Sequence, residues 1–181
     1  MDTFISISLF LGKDPIRGAR YVAISDVSEA RNNEDLLPAL ENNVGRMEIS
    51  CDGQGLQVNL ENLEHLFRSL LKNAENILEH TSFGIALQLP EKETLYGFML
   101  TENLFALEKT LIKSNRPSVN KRRYRRDTEH LMQRIFLNKR DFLLQLCAAA
   151  SIFIEKMRVL KEPNFGAKWI ASLEKAKSLL A

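Results

Sequence analysis

The chain has few of the residues from which covalent and metal chemistry are usually built. Its 181 residues include only 2 Cys, 3 His and 1 Trp. Cys51 and Cys147 stand far apart and form no CxxC, so two free thiols in a reducing cytoplasm are the simplest expectation. His65, His80 and His130 each follow a Glu, but none falls in an HExxH or a His/Cys spacing for zinc. Gly12-Lys13 matches the end of a phosphate-binding loop, yet the glycine required five residues upstream is Ile7. Asp52-Gly-Gln-Gly55 is too short for a calcium loop and lacks its distal Glu, and no GxSxG marks a nucleophile. No catalytic residue, metal ligand or cofactor is therefore assigned, no small-molecule ligand is evident, and a binding protein is expected rather than an enzyme.

Long apolar runs are missing too. The longest, Phe142 to Ile154, is 13 residues, contains Gln145 and is flanked by Arg140, Asp141, Glu155 and Lys156. A membrane span needs about 20 residues, so this run reads as a buried core helix, with a dimer core as the other use for it. The N-terminus lacks the basic and long apolar regions of a signal peptide. At 45% hydrophobic and 27% charged, the composition fits an ordinary globular protein. One domain over 1–181, with no membrane partner, is the expectation.

One absence is informative by itself: no acidic residue lies between Lys109 and Arg126, a stretch with eight basic ones. Six of them belong to Arg116-Pro-Ser-Val-Asn-Lys-Arg-Arg-Tyr-Arg-Arg126. The net charge of +2 hides a split at about residue 108. Residues 1–108 carry 8 Lys/Arg against 17 Asp/Glu, and residues 109–181 carry 17 against 6. Such a basic end calls for a polyanion or an acidic partner. Arg116, Lys121, Arg122, Arg123, Arg125 and Arg126 can neutralise phosphates together, and the release of counterions drives such binding. Tyr124 can stack on a base, and the run leads to an expected helix N-terminus, which favours phosphate. Arg134, Lys139 and Arg140 would extend the surface along that helix. DNA is the expected partner, RNA remains open, and the rival is an acidic protein face.

The hydrophobic pattern changes along the chain. Phe4–Leu11 and Tyr21–Asp26 alternate as strands, and a short helix is expected around Glu34–Glu41. Arg46–Ser50 and Leu56–Leu60 alternate around Cys51-Asp-Gly-Gln-Gly55, a hairpin loop. From Glu61 the period becomes 3.6 residues, with Leu63, Leu66, Phe67, Leu70, Leu71, Ala74, Ile77 and Leu78 on one face. Ile85–Leu89 and Leu95–Leu100 form another strand pair. Thr101 predicts the N-cap of a helix over Glu102–Lys113. After the basic linker, 114–127, Asp127 or Thr128 predicts the cap of a long helix reaching Lys161. Pro163 breaks it, and Gly166–Leu180 forms a last helix with Trp169 and Leu173 inward. The expected class is α+β, with antiparallel strand pairs in the first hundred residues and a helical C-terminal part.

Leu9-Phe-Leu-Gly12 followed by Arg20-Tyr-Val-Ala-Ile24 resembles the opening of the AcaB-like proteins of conjugative plasmids and integrating conjugative elements. Thr94-Leu-Tyr-Gly-Phe-Met-Leu-Thr101, followed by Leu104–Ile112, a polar loop and a further helix, is similar to a strand-to-helix passage of that family. Together these matches cover about a third of the chain. The resemblance implies a cytoplasmic, homodimeric, DNA-binding transcriptional regulator of transfer genes with a ribbon-helix-helix element. The ribbon, Leu95–Leu100, offers no Arg, Lys, Asn or Gln for base edges, so the basic linker would carry most of the contacts. The alternative is a protein-interaction adaptor or secretion chaperone whose basic segment binds an acidic partner.

Overall fold

In the computed structural model, the described residues are 4–12, 21–26, 37–79, 84–113 and 128–181. The expected α+β class holds, built as two antiparallel four-stranded sheets with helices on one side. The first sheet has the order β2-β1-β3-β4, from β1 (Ile5–Leu11), β2 (Val22–Ala23), β3 (Gly45–Cys51) and β4 (Gln54–Leu60). A 3₁₀ turn at Ile24–Asp26 and the short helix α1 (Leu37–Asn42) lie between β2 and β3. Helices α2 (Leu63–Lys72) and α3 (Ala74–Glu79) follow β4. The second sheet is the meander β5 (Gly84–Gln88), β6 (Glu93–Met99), β7 (Leu104–Lys113) and β8 (Thr128–Asn138). The chain ends in α4 (Lys139–Leu160) and α5 (Ile170–Leu180).

Alternation decides which face each strand buries. Ile5, Leu9, Leu11, Met47, Ile49, Leu56 and Val58 point to the helices, while Ser6, Ser8, Arg46, Glu48 and Gln57 point away. Cys51 pairs with Gln54, so the hairpin loop tightens to Asp52-Gly53, both at positive φ (49° and 79°). Gly45 has no room for a side chain: a Cβ there would stand 2.1 Å from the Phe10 carbonyl oxygen and 2.8 Å from Leu63 Cδ1. Gly45→Ala therefore has to push β1 or α2 aside, and a loss of about 1–3 kcal/mol is expected in a urea titration.

The two sheets meet edge to edge at β4 and β8. The Gln57 N–H donates to Gln133 Oε1 at 3.1 Å, and the Phe136 N–H donates to Gln54 Oε1 at 3.4 Å. Glutamine side chains thus bridge two strand edges that make no backbone ladder with each other. One continuous core runs beneath both sheets. At its centre Phe67 of α2 stacks on Phe153 of α4 (5.5 Å) and on Trp169 (5.8 Å), and Phe165 meets Phe153 edge-on (5.5 Å). Phe105 of β7 stacks on Phe142 of α4 at 5.7 Å.

The structure corrects two expected helices. Residues 104–113 are a strand, and the long helix expected from Asp127 or Thr128 begins only at Lys139, after the eleven residues of β8. Leu, Ala, Glu and Lys in Leu104–Lys113 have high helix propensity, but pairing with β6 and β8 on both edges overrides it. Ala106 confuses the pattern further, because it faces outward and is still buried, between Phe98 and Phe136 on the neighbouring strands. The true cap of α4 is Asn138, whose Oδ1 accepts from the N–H groups of Arg140 (3.0 Å) and Asp141 (3.2 Å). A ribbon-helix-helix needs a helix directly after its ribbon. Here β7 follows β6, so residues 94–160 do not form that element.

The run Phe142–Ile154 is the core helix the sequence predicts. Phe142, Leu143, Leu146, Cys147, Ala149, Ala150, Phe153 and Ile154 are all buried within the chain. No helix among the described residues is long and apolar enough to cross a membrane. Burial pushes the Cys147 thiol up to about 11, and it raises Cys51 with help from the charge of Asp52. Neither thiol should react with a disulfide reagent at neutral pH in the native protein, and both should react in urea. The unfolded chain ionises at lower pH than the folded one. Stability should therefore fall as pH climbs from about 9 toward about 11.

Candidate nucleic-acid interface

Strands β7 and β8 pair from Leu104↔Asn138 out to Lys113↔Thr128, with a register shift at Lys109/Thr110 that leaves Met132 without an opposite residue. The backbone ends of the basic segment are thus held side by side, and 114–127 is the connection of a closed hairpin. Seven candidate contact residues lie in it, Arg116, Lys121, Arg122, Arg123, Tyr124, Arg125 and Arg126, and all seven fall outside the described residues. The structure thus places the segment's two ends in the fold.

Arg134 is on β8, not on a helix. It sits directly across from Glu108 and forms an ion pair with it. Its guanidinium also lies 6.0 Å from the Phe136 ring. The Arg134 side chain is 45% exposed, but a phosphate would have to compete with a carboxylate already in place. Lys139 is buried at the start of α4, and Arg140 donates to the Leu180 carbonyl, tying α4 to α5. Lys139 therefore does not extend a basic surface, while Arg140 is exposed but engaged with α5. Lys109, the first residue of the acid-free stretch, is buried and 3.7 Å from Glu93.

These pairs change the meaning of the charge split. Glu75–Lys175, Glu93–Lys109 and Glu108–Arg134 each join an acid of the first 108 residues to a base of the rest. Lys161 likewise donates to the Glu41 carbonyl (2.6 Å) and to Asn43 Oδ1 (3.1 Å). Part of the basic excess in the C-terminal half therefore fastens it to the acidic half.

Beside the hairpin, the outward face of the second sheet carries Phe98, Ala106 and Phe136 in one cross-strand row. Leu131 and Met132 are each 50% exposed on β8, and Phe136 is 41% exposed. The sequence reading missed this face because it assigned Ala106, Leu131, Met132 and Phe136 to helix, and only Phe98 to a strand. The signal was the alternation of Gln133, Ile135 and Leu137 with Arg134 and Phe136.

Elsewhere, a shallow cleft of about 280 Å³ opens between Gly12, Tyr21, Asn59, Glu61, Glu91 and Glu93. Its glutamates make it a poor seat for a polyanion. No group of His, Cys, Asp and Glu among the described residues can hold a metal ion. Compared with family models, with curated proteins and with solved structures, the chain matches none, which leaves the AcaB-like resemblance resting on its short matches alone.

Proposed function

We propose that this protein is a DNA-binding regulator that grips the phosphate backbone with the segment 116–126 at the tip of the β7–β8 hairpin. One observation carries the reading. Six positive charges and no negative one fall within 11 residues, in a connection whose two ends are fixed by strand pairing at Lys113↔Thr128. Anchoring both ends lowers the entropy lost on binding, and the charge density favours phosphate by counterion release. Tyr124 supplies a stacking group within the run. Transcriptional control of transfer genes rests on the AcaB-like resemblance alone. A cytoplasmic location suits the two buried free thiols.

A second reading has its own support. Leu131, Met132 and Phe136 are exposed on β8, the strand that follows the segment, and exposed apolar side chains on the same hairpin as a basic run suit an acidic protein partner better than a phosphate backbone. Binding of the purified protein to labelled duplex DNA, duplex RNA and an acidic polypeptide separates the two. Tightest binding to DNA supports the regulator. Binding to the acidic polypeptide alone assigns the protein to the adaptor class.

A further inference from the structure

The first sheet ends in a strand edge that is only partly paired among the described residues, although the 3₁₀ turn at Ile24–Asp26 and α4 pack against the same strand. β1 pairs along its whole length with β3, but β2 pairs only with Phe10 and Leu11. Among the described residues, Ile5–Leu9 therefore have no strand partner on that edge. Natural proteins usually protect such an edge with a Lys, a Pro, a bulge or a covering element. Phe4–Leu11 contains no charged residue and no proline, and its pairing with β3 has no register shift. Alongside the edge runs a groove of about 240 Å³, lined by Ile7, Leu9, Ile24, Ala149 and Ile152. Ile152 is 49% exposed and Leu144, two helical turns earlier on α4, is 44% exposed. Ala148 lies exposed between them.

We propose that a second copy of this chain occupies the β1 edge, so that the first sheets of two protomers join across an antiparallel β1–β1 pair. β2 blocks the edge at Phe10, so an incoming strand can extend only over Ile5–Leu9. A two-fold axis through Ile7 pairs all five of these residues at once. That register sets Ile7 against its own counterpart, Ile5 against the partner's Leu9, and Ser6 against the partner's Ser8. The apolar residues then meet on the helix side and the serines on the solvent side, which matches the face each already takes in the monomer. No like charges oppose, because the strand carries none. The same axis brings the exposed side of α4 at Ile152 toward its counterpart, which continues the contact beyond the strand pair. The interface is isologous and closes on itself, so it yields a dimer and not a filament.

Sedimentation velocity of the full-length protein, at concentrations up to on the order of 100 µM, tests this. A dimer is expected, and Ile152→Glu should convert it to a monomer whose circular dichroism spectrum is still that of the folded chain, because that side chain is half-exposed. Ile7→Lys should do the same if it folds. Ile7→Cys should cross-link to a dimer under mild oxidation, whereas the wild type, with both thiols buried, should not. A wild-type monomer at the highest concentration overturns the proposal. So does a dimer that survives Ile152→Glu without a cross-link at Ile7→Cys, or a monomer whose groove takes an unrelated extended peptide.

Discussion

Replacing Arg122, Arg123, Arg125 and Arg126 together by alanine is expected to reduce affinity for duplex DNA by at least about 100-fold at moderate salt. Each arginine that neutralises one phosphate contributes roughly one unit to the dependence of log affinity on log salt. Removing four should lower the magnitude of that slope by about three to four. The fold should not notice, since 114–127 lies beyond the paired ends of β7 and β8. An unchanged thermal melt with lost binding is thus the expected pair of results. Unchanged affinity, or a collapsed melt, would contradict it. Arg134→Ala is a useful contrast. It breaks the ion pair with Glu108 and leaves that carboxylate without its partner on the sheet face, so its effect should fall on stability more than on affinity.

Phe153→Ala is expected to be the most damaging single change to the fold. The Phe153 ring is fully buried and touches two elements far apart in sequence, Phe67 on α2 and Phe165 beyond α4. Truncation removes the apolar transfer term and leaves a cavity, which together cost about 3–5 kcal/mol. Whole domains are stable by only about 5–15 kcal/mol, so a drop on the order of 10 °C in the melting midpoint follows. Trp169 is the only tryptophan and stacks directly on Phe67. Its fluorescence therefore reports the same cluster. The emission of the variant should shift toward that of exposed tryptophan at lower urea than the wild type. A shift of less than about 1 kcal/mol would mean that the cluster can close over the gap.

What the sequence disclosed follows from which signals were local. Helix α2 was legible because Leu63, Leu66, Phe67, Leu70 and Leu71 line one face and its partners do not alter the period. Its N-cap, Asn62, accepts from Glu64 at 2.9 Å. The β3–β4 hairpin was legible because Asp52-Gly53 takes the positive φ that such a turn demands. β7 and β8 were not legible. Their residues favour helix locally, and only pairing with distant strands makes them sheet. The basic segment was expected between two helices, whereas the described residues on either side of it, Lys113 and Thr128, belong to paired strands. Glu108 shows the same gap for the site: it reads as the last acid before a basic run, yet the cross-strand register makes it the partner of Arg134.

The charge split was visible in full, but its meaning needed the fold. Lys109, Arg134 and Lys175 count toward the basic excess of residues 109–181, and each holds an acid of the other half. The function proposed for this protein stands or falls with the charge of 116–126. The most direct test is fluorescence anisotropy on labelled duplex DNA over a salt series from about 50 to 200 mM. The account predicts a linear log–log plot with a slope of about −4 to −5, and tighter binding to one duplex sequence than to random ones. No binding at the lowest salt, or an affinity indifferent to salt, would contradict it.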